Sequence, residues 1–217
     1  MSIHTPTRRA TLLLALAPLA ACTVLPQRPY QEVQRFALDP ERPQRATAPG
    51  NAPVLLVRPL RSAPGLDVRG LRMVGADGQV STAYWQEWAA TPVDLVEEAM
   101  RRWLTASGMF RAVTQPGSRL RPDVVLEGEL IRLQAEPATG TAIAAISALL
   151  LTEPQSVAQE ARILGQFVAE GTAPIPGGPG RDGSAAAGDA AAAMSAALAE
   201  ALAALERRIG GLLPRRR

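Results

Sequence analysis

The sequence predicts an α+β domain: a mixed, largely antiparallel sheet with two helices packed on one face. Apolar segments of strand length follow one another along most of the chain, and two segments, near residues 92–107 and beyond residue 185, carry helical periodicity. Strands that occur in runs, interrupted by few helices, are typical of α+β folds. The 217 residues suffice for one such domain with an extension at either end.

The predicted strands begin well inside the chain. A short strand is expected at 35–38, and "VLLVRPL" (54–60) has the branched apolar residues of a buried strand. Segments 65–75 and 79–88 follow. The turn "ADG" joins them, and Gly78 is available there for a positive φ.

The clearest helix follows these strands. Thr91 is placed to act as N-cap, Pro92 suits the first helical position, and Gly108 suits the end. One face of this helix is apolar, comprising Val93, Val96, Met100, Trp103 and Leu104.

Four further strands are predicted between the two helices. A short one covers 109–113, and three longer segments cover 123–136, 141–151 and 157–171. The segment "TAIAAISALLL" (141–151) is equally compatible with a buried helix, because alanine favours helices. Its neighbours and the short turns around it favour a strand meander. At a sheet edge, this segment would favour self-association into a homo-oligomer.

The last helix is rich in alanine, so that its small face can pack closely on a sheet. Its larger apolar residues recur at helical spacing: Met194, Leu198, Leu202 or Leu205, and Ile209.

The amino-terminal segment has the organisation of a signal peptide. A polar stretch ending in two arginines precedes "ATLLLALAPLAA", an apolar run that is shorter than the ~20 residues of a membrane span. We therefore expect residues 1–21 to be a signal peptide, 22–34 a tether and 35–213 a single domain.

Leu19-Ala20-Ala21-Cys22 resembles the bacterial lipobox, which is cut before the cysteine. The resemblance implies that Cys22 becomes the new amino terminus and carries acyl chains such as palmitate. Since each buried CH₂ contributes ~0.8 kcal/mol, several chains hold a domain on a bilayer. The alternative is an ordinary signal peptide followed by a cysteine. By resemblance to the sorting rule of enteric bacteria, in which an aspartate after the cysteine favours retention in the inner membrane, Thr23 implies the outer membrane.

Composition excludes several function classes. All 23 basic residues are arginine, and without Arg8 and Arg9 they nearly balance the 20 acidic residues, which argues against nucleic-acid binding. The only histidine, His4, lies in the predicted leader, and lysine does not occur. The mature chain therefore lacks the usual general base and amine nucleophile, as well as His/Cys zinc ligands. No cofactor or metal is expected.

Two carboxylates keep a catalytic alternative open. Glu127 and Glu129 fall on the same face of one predicted strand, as paired acid/base groups would. A solvated or interface-facing strand surface explains them more simply.

Tyr84, Trp85 and Trp88 bring three of the eight aromatic residues together within five positions. Two interpretations stay open: a patch that contacts a partner or lipid, and a lid that packs over the core. Strand alternation places Tyr84 and Trp85 on opposite faces, so that at least one of them faces outward.

The segment "STAYWQEWAATPVDLVEEAMRRWLTASGMFRAV" resembles the signature stretch of the ABC-type transport auxiliary lipoproteins, a family that includes the paraquat-inducible protein C-like lipoproteins. The later "DVVLEGELIRL", the early "FAL…VLLVRPL" pairing and the Ala-rich last helix extend the resemblance over about residues 35–210.

The resemblance implies a non-enzymatic lipoprotein that faces the periplasm from the outer membrane. Its partners would be a mammalian-cell-entry (MCE) domain substrate-binding protein and ABC transporter subunits that move lipids or other hydrophobic compounds. The alternatives are an envelope assembly lipoprotein with no transporter and a periplasmic carboxylate-dependent hydrolase.

Overall fold

The structure is a computed structural model that describes residues 31–154, 156, 159–178 and 185–213. Its contacts divide the chain into Met1–Glu32 and a second compact unit, Val33–Arg217. The predicted signal peptide, the lipobox and Cys22 lie outside the described residues, as does the start of the predicted tether.

Nine strands and two helices make up the described part of the second unit, which confirms the predicted α+β class. In chain order they are β1 (Gln34–Phe36), β2 (Val54–Val57), β3 (Arg61–Ser62), β4 (Gly70–Val74), β5 (Val80–Trp88), α1 (Pro92–Ala106), β6 (Ala112–Thr114), β7 (Val124–Glu136), β8 (Thr141–Thr152), β9 (Ile163–Pro174) and α2 (Ala187–Leu212).

The sheet is built around β7. One edge of β7 pairs antiparallel with β8 over its whole length, and β9 pairs antiparallel with the far edge of β8. The other edge of β7 pairs in turn with β2, β3 and β4, each parallel and over one to three residues. Beyond them, β6 pairs with β2, β5 with β4, and β1 with β5. The longest pairings are antiparallel, so the sheet is mixed and largely antiparallel, as predicted.

Both helices contribute to one core. α2 lies on β7, β8 and β9, while α1 contacts β6, β7 and α2. Odd-numbered residues of β9 such as Ala169 and Ala173 are buried beneath α2, and the intervening residues are exposed. The opposite face of these three strands, called here the open sheet face, is not covered by either helix.

The predicted apolar face of α1 is confirmed, since Val96, Met100, Trp103 and Leu104 are buried. Its boundaries follow the predicted signals in part. Gly108 has a φ of +75° just after the helix, where an L side chain would be strained. Thr91 occupies the N-cap position, but its hydroxyl donates to the Asp94 carboxylate and makes no cap to the backbone.

The helix α2 is long and apolar enough to cross a membrane, but half of its most apolar stretch is buried inside the protein. The predicted apolar positions are all fully buried, and both leucines left open by the pattern belong to them: Met194, Leu198, Leu202, Leu205 and Ile209. Packing on the sheet therefore accounts for the apolar character of α2.

The predictions for β8 and β9 have different outcomes. The segment 141–151 is a strand, as its neighbours indicated. It lies between β7 and β9 and not at a sheet edge, where self-association would be expected. The strand predicted at 157–171 is observed at Ile163–Pro174. The prediction began too early because "VAQEAR" (157–162) contains apolar residues, whereas Arg162 donates its N–H to the Thr152 side chain and the regular pairing of β9 begins at Ile163.

A partly buried ion pair joins the two helices to the loop that precedes β2. The Glu206 carboxylate on α2 accepts a hydrogen bond of 2.7 Å from the Trp103 indole of α1. It also forms an ion pair of 3.0 Å with Arg42, whose guanidinium lies 5.3 Å from the centroid of the Trp103 ring. One carboxylate thus satisfies two polar groups inside the domain.

Glu206→Ala is expected to lower the free energy of unfolding by about 2 kcal/mol, because it leaves a partly buried guanidinium and an indole N–H without their acceptor. Thermal unfolding followed by circular dichroism measures the loss. Glu98→Ala is the matched control. Glu98 pairs with Arg102 on the exposed side of α1, where such a pair contributes only a few tenths of a kcal/mol. Equal effects of the two substitutions would contradict the role of Glu206.

Candidate functional site

The strand β5 carries a large bulge where the sequence places its aromatic residues. Thr82 is paired with Arg72 of β4, and Glu87 is paired with Gly70. The four residues 83–86 therefore oppose only Leu71. An irregularity of this kind bends a strand and redirects its side chains, and bulges are common beside functional sites. We call residues 83–86 the aromatic bulge.

Gly70 makes the bulge possible. A Cβ atom at this position would lie 2.3 Å from Cγ2 of Thr82 and 2.6 Å from the carbonyl oxygen of Ala83. Both distances are well inside van der Waals contact, so only glycine lets β5 cross so closely. The role of Gly70 was not predicted, although an isolated glycine within a strand pattern is a signal of a bulge.

The bulge exposes two of the three clustered aromatic residues. Tyr84 is 83% exposed and Trp85 is 41% exposed, whereas Trp88 is 1% exposed and belongs to the core. The rings of Tyr84 and Trp85 meet edge to face, with centroids 5.1 Å apart and planes at 74°. The prediction that Tyr84 and Trp85 lie on opposite faces of the strand is therefore wrong, because the bulge interrupts the two-residue period of β5. Trp88 packs in the core, as the lid interpretation expects, while Tyr84 and Trp85 form a surface pair whose contact with a partner or lipid stays a prediction.

The domain begins beside this pair. β1 runs parallel to the end of β5, with Gln34 paired to Gln86 and Phe36 to Trp88. Arg35, which is largely exposed, forms an ion pair of 2.9 Å with Glu87. The first described strand therefore lies next to the aromatic bulge.

The two carboxylates that allowed a catalytic alternative lie on the open sheet face. Glu127 forms an ion pair with Arg58 at 3.4 Å, and Glu129 forms one with Arg61 at 3.9 Å. Arg61 belongs to β3, which pairs with β7, and Arg58 directly follows β2, which also pairs with β7. This arrangement is that of cross-strand ion pairs on a half-exposed surface, each of small energy.

An ion pair also covers part of the apolar strand β8 on this face. Arg132 of β7 and Glu170 of β9 form an ion pair across β8. Both are paired in register with Ala145, which is fully buried. Charged side chains on the open sheet face therefore flank β8, whose residues on this face are largely apolar. Among the residues that the structure describes, no group of three or more His, Cys, Asp or Glu side chains is placed to hold a metal ion.

A groove of about 1060 Å³ lies where the ends of β2 and β8 approach the carboxyl ends of both helices. Its walls combine apolar side chains such as Met109 and Leu164 with the carboxylate of Asp123. That carboxylate accepts a hydrogen bond of 2.8 Å from the backbone N–H of Val54. This hydrogen bond holds the start of β2 in place, which indicates a structural role for the Asp123 carboxylate. The aromatic bulge consequently remains the candidate functional site.

Comparison with known proteins gives a match over most of the domain. Residues 36–175 match the family described as the ABC-type transport auxiliary lipoprotein component. Protein XCC0632 from Xanthomonas campestris, of family DUF330, has a similar structure with a TM-score of 0.60 and 19% identity, covering 83% of this chain and all of that one. A second, uncharacterised protein has a similar structure with a TM-score of 0.57 and 14% sequence identity, covering 82% of this chain and 99% of its own. At these identities the two structures support the fold alone. No curated protein matches the sequence.

Proposed function

We propose, since the chain belongs to the ABC-type transport auxiliary lipoprotein family, that it is the non-catalytic auxiliary component of an MCE-type ABC transport system. In this proposal Cys22 carries the acyl chains, and the domain faces the periplasm from the outer membrane. Its partners are an MCE-domain substrate-binding protein and the ABC transporter subunits, and the cargo is a lipid or another hydrophobic compound. The match over residues 36–175 is the observation that carries the proposal.

Two features of the chain support a binding role over catalysis. Glu127 and Glu129, the carboxylates considered for a hydrolase, are each engaged by an arginine on a half-exposed surface. No histidine or lysine follows the predicted leader to supply another base.

The domain limits 35–213 are part of the same proposal. The family match ends at residue 175, but α2 follows it and buries ten residues against the sheet. The residues of α2 also share one continuous core with β2, β7 and α1. These contacts support a single domain that continues beyond the matched segment.

The experiment is co-purification from the bacterium that encodes the protein. The full-length chain, tagged at its carboxyl end, is isolated from detergent-extracted envelope, and the accompanying proteins are identified by mass spectrometry. We expect an MCE-domain protein and ABC subunits to be enriched over the same preparation from an untagged strain. Enrichment of other envelope proteins with neither of these would favour the assembly lipoprotein and contradict the transport role.

A further inference from the structure

We propose that the aromatic bulge rests on the membrane surface, with Tyr84 and Trp85 at the level of the lipid headgroups. The inference rests on the proposed lipid anchor at Cys22. It deepens that proposal by naming the part of the domain that faces the bilayer and the chemistry that it meets there: an apolar interior beneath a polar, phosphate-bearing layer.

The character of the two rings suits this boundary. Tyrosine and tryptophan are the residues enriched at membrane–water interfaces, because each has an apolar body and one polar group. Tyr84 and Trp85 are among the few large apolar side chains exposed on the described surface, and they touch each other. The backbones of β4 and β5 lie in close contact at Gly70, beside the bulge that presents the pair.

The position of the pair points to lipid as its occupant. Cys22 to Val33 is the only covalent link between the proposed anchor and the domain, and twelve residues reach at most about 40 Å. This link joins the domain at β1, where Gln34 lies paired with Gln86 of the bulge. The end of the domain that the tether holds nearest to the bilayer therefore carries the exposed rings.

Two of the other exposed apolar side chains are placed differently. Ile163 and Val168 lie on β9, at the opposite side of the sheet order from β1, with β8, β7, β4 and β5 in between. Beside the bulge, Arg35 is largely exposed although it pairs with Glu87. Its long side chain can reach lipid phosphates while its stem covers apolar surface.

The test uses the fluorescence of Trp85. Trp88 and Trp103 are buried, so Trp85 is the tryptophan within reach of lipid. The full-length acylated protein is reconstituted into phosphatidylethanolamine–phosphatidylglycerol vesicles that contain lipids brominated near the headgroup end of the acyl chain. We expect quenching of the tryptophan emission in the wild-type protein and loss of that quenching in Trp85→Phe. The matched control adds Val168→Trp to Trp85→Phe, and its emission is expected to stay unquenched.

Flotation of the same vesicles tests the lipid anchor at Cys22 separately from the membrane contact of Trp85. Protein that floats with the vesicles but shows no quenching of Trp85 overturns the membrane contact and leaves the anchor intact. Equal quenching of the Val168→Trp reporter overturns it too, because the domain then has no preferred face. Shielding of Trp85 from iodide by an added envelope protein, without bromolipid quenching, assigns the pair to a protein partner instead. Failure to float overturns the anchor and, with it, the inference.

Discussion

Replacing Gly171 with alanine is expected to destabilise the domain by about 3 kcal/mol, near the upper end of the usual cost of overpacking. A Cβ at this position would lie 2.3 Å from both the carbonyl oxygen of Ala197 and the backbone nitrogen of Ala201. It would also lie 2.6 Å from Cβ of Glu200. Two of these atoms are helix backbone, so α2 must move away from β9 along its length rather than adjust one side chain.

The matched control lies on the same strand and the same face. In Gly165→Ala the new Cβ meets Cδ1 of Leu212 at 2.5 Å, the far end of a side chain that can change rotamer. We expect this substitution to cost less than about 1 kcal/mol. For a domain of this size each kcal/mol shifts the Tm by roughly 2–4 °C, so Gly171→Ala should lower it by about 6–12 °C. Similar Tm values for the two variants would show that α2 does not pack as closely as described.

The packing of α2 illustrates what a single sequence can and cannot predict. Its buried positions follow from helical spacing, and the small alanine face correctly indicated close packing on a sheet. The need for glycine at 171 did not follow, because it depends on residue 171 lying beneath residues 197–201 in the folded chain. That register joins segments far apart in sequence, and no local pattern records it.

The sheet and the aromatic bulge show the same limit. Long strands were predicted correctly at β7 and β8, the latter from its neighbours and the short turns around it, and these two strands are consecutive in the chain and pair with each other. The parallel pairing of β2, β3 and β4 along the other edge of β7 depends on tertiary order and was not predicted. Likewise Tyr84 and Trp85 were recognised as a cluster by composition, but the loss of alternation between them follows from how β4 and β5 pair.

Cys22→Ser is expected to abolish incorporation of labelled palmitate into the protein. A serine hydroxyl cannot form the thioether that the lipobox resemblance implies, so the acyl chains would have no attachment point. Labelling of cells with palmitate, followed by immunoprecipitation of the chain, measures the effect. Thr23→Ser is the matched control, since it changes the next residue but keeps the thiol, and it should be labelled like the wild type. Absence of label from the wild-type chain would support an ordinary signal peptide instead.

Release from the membrane is measured on a second form of the same variant. An uncut "ATLLLALAPLAA" segment can itself hold a precursor at the membrane, so Cys22→Ser is placed behind a conventional cleavable signal peptide. We expect this protein in the soluble periplasmic fraction, because a single exposed aromatic pair contributes far less than several acyl chains at ~0.8 kcal/mol for each CH₂. Retention in the membrane fraction would mean that the folded domain binds the envelope strongly by itself, through a protein partner or a larger lipid-contacting surface. The domain would then not need a lipid at Cys22 to stay there.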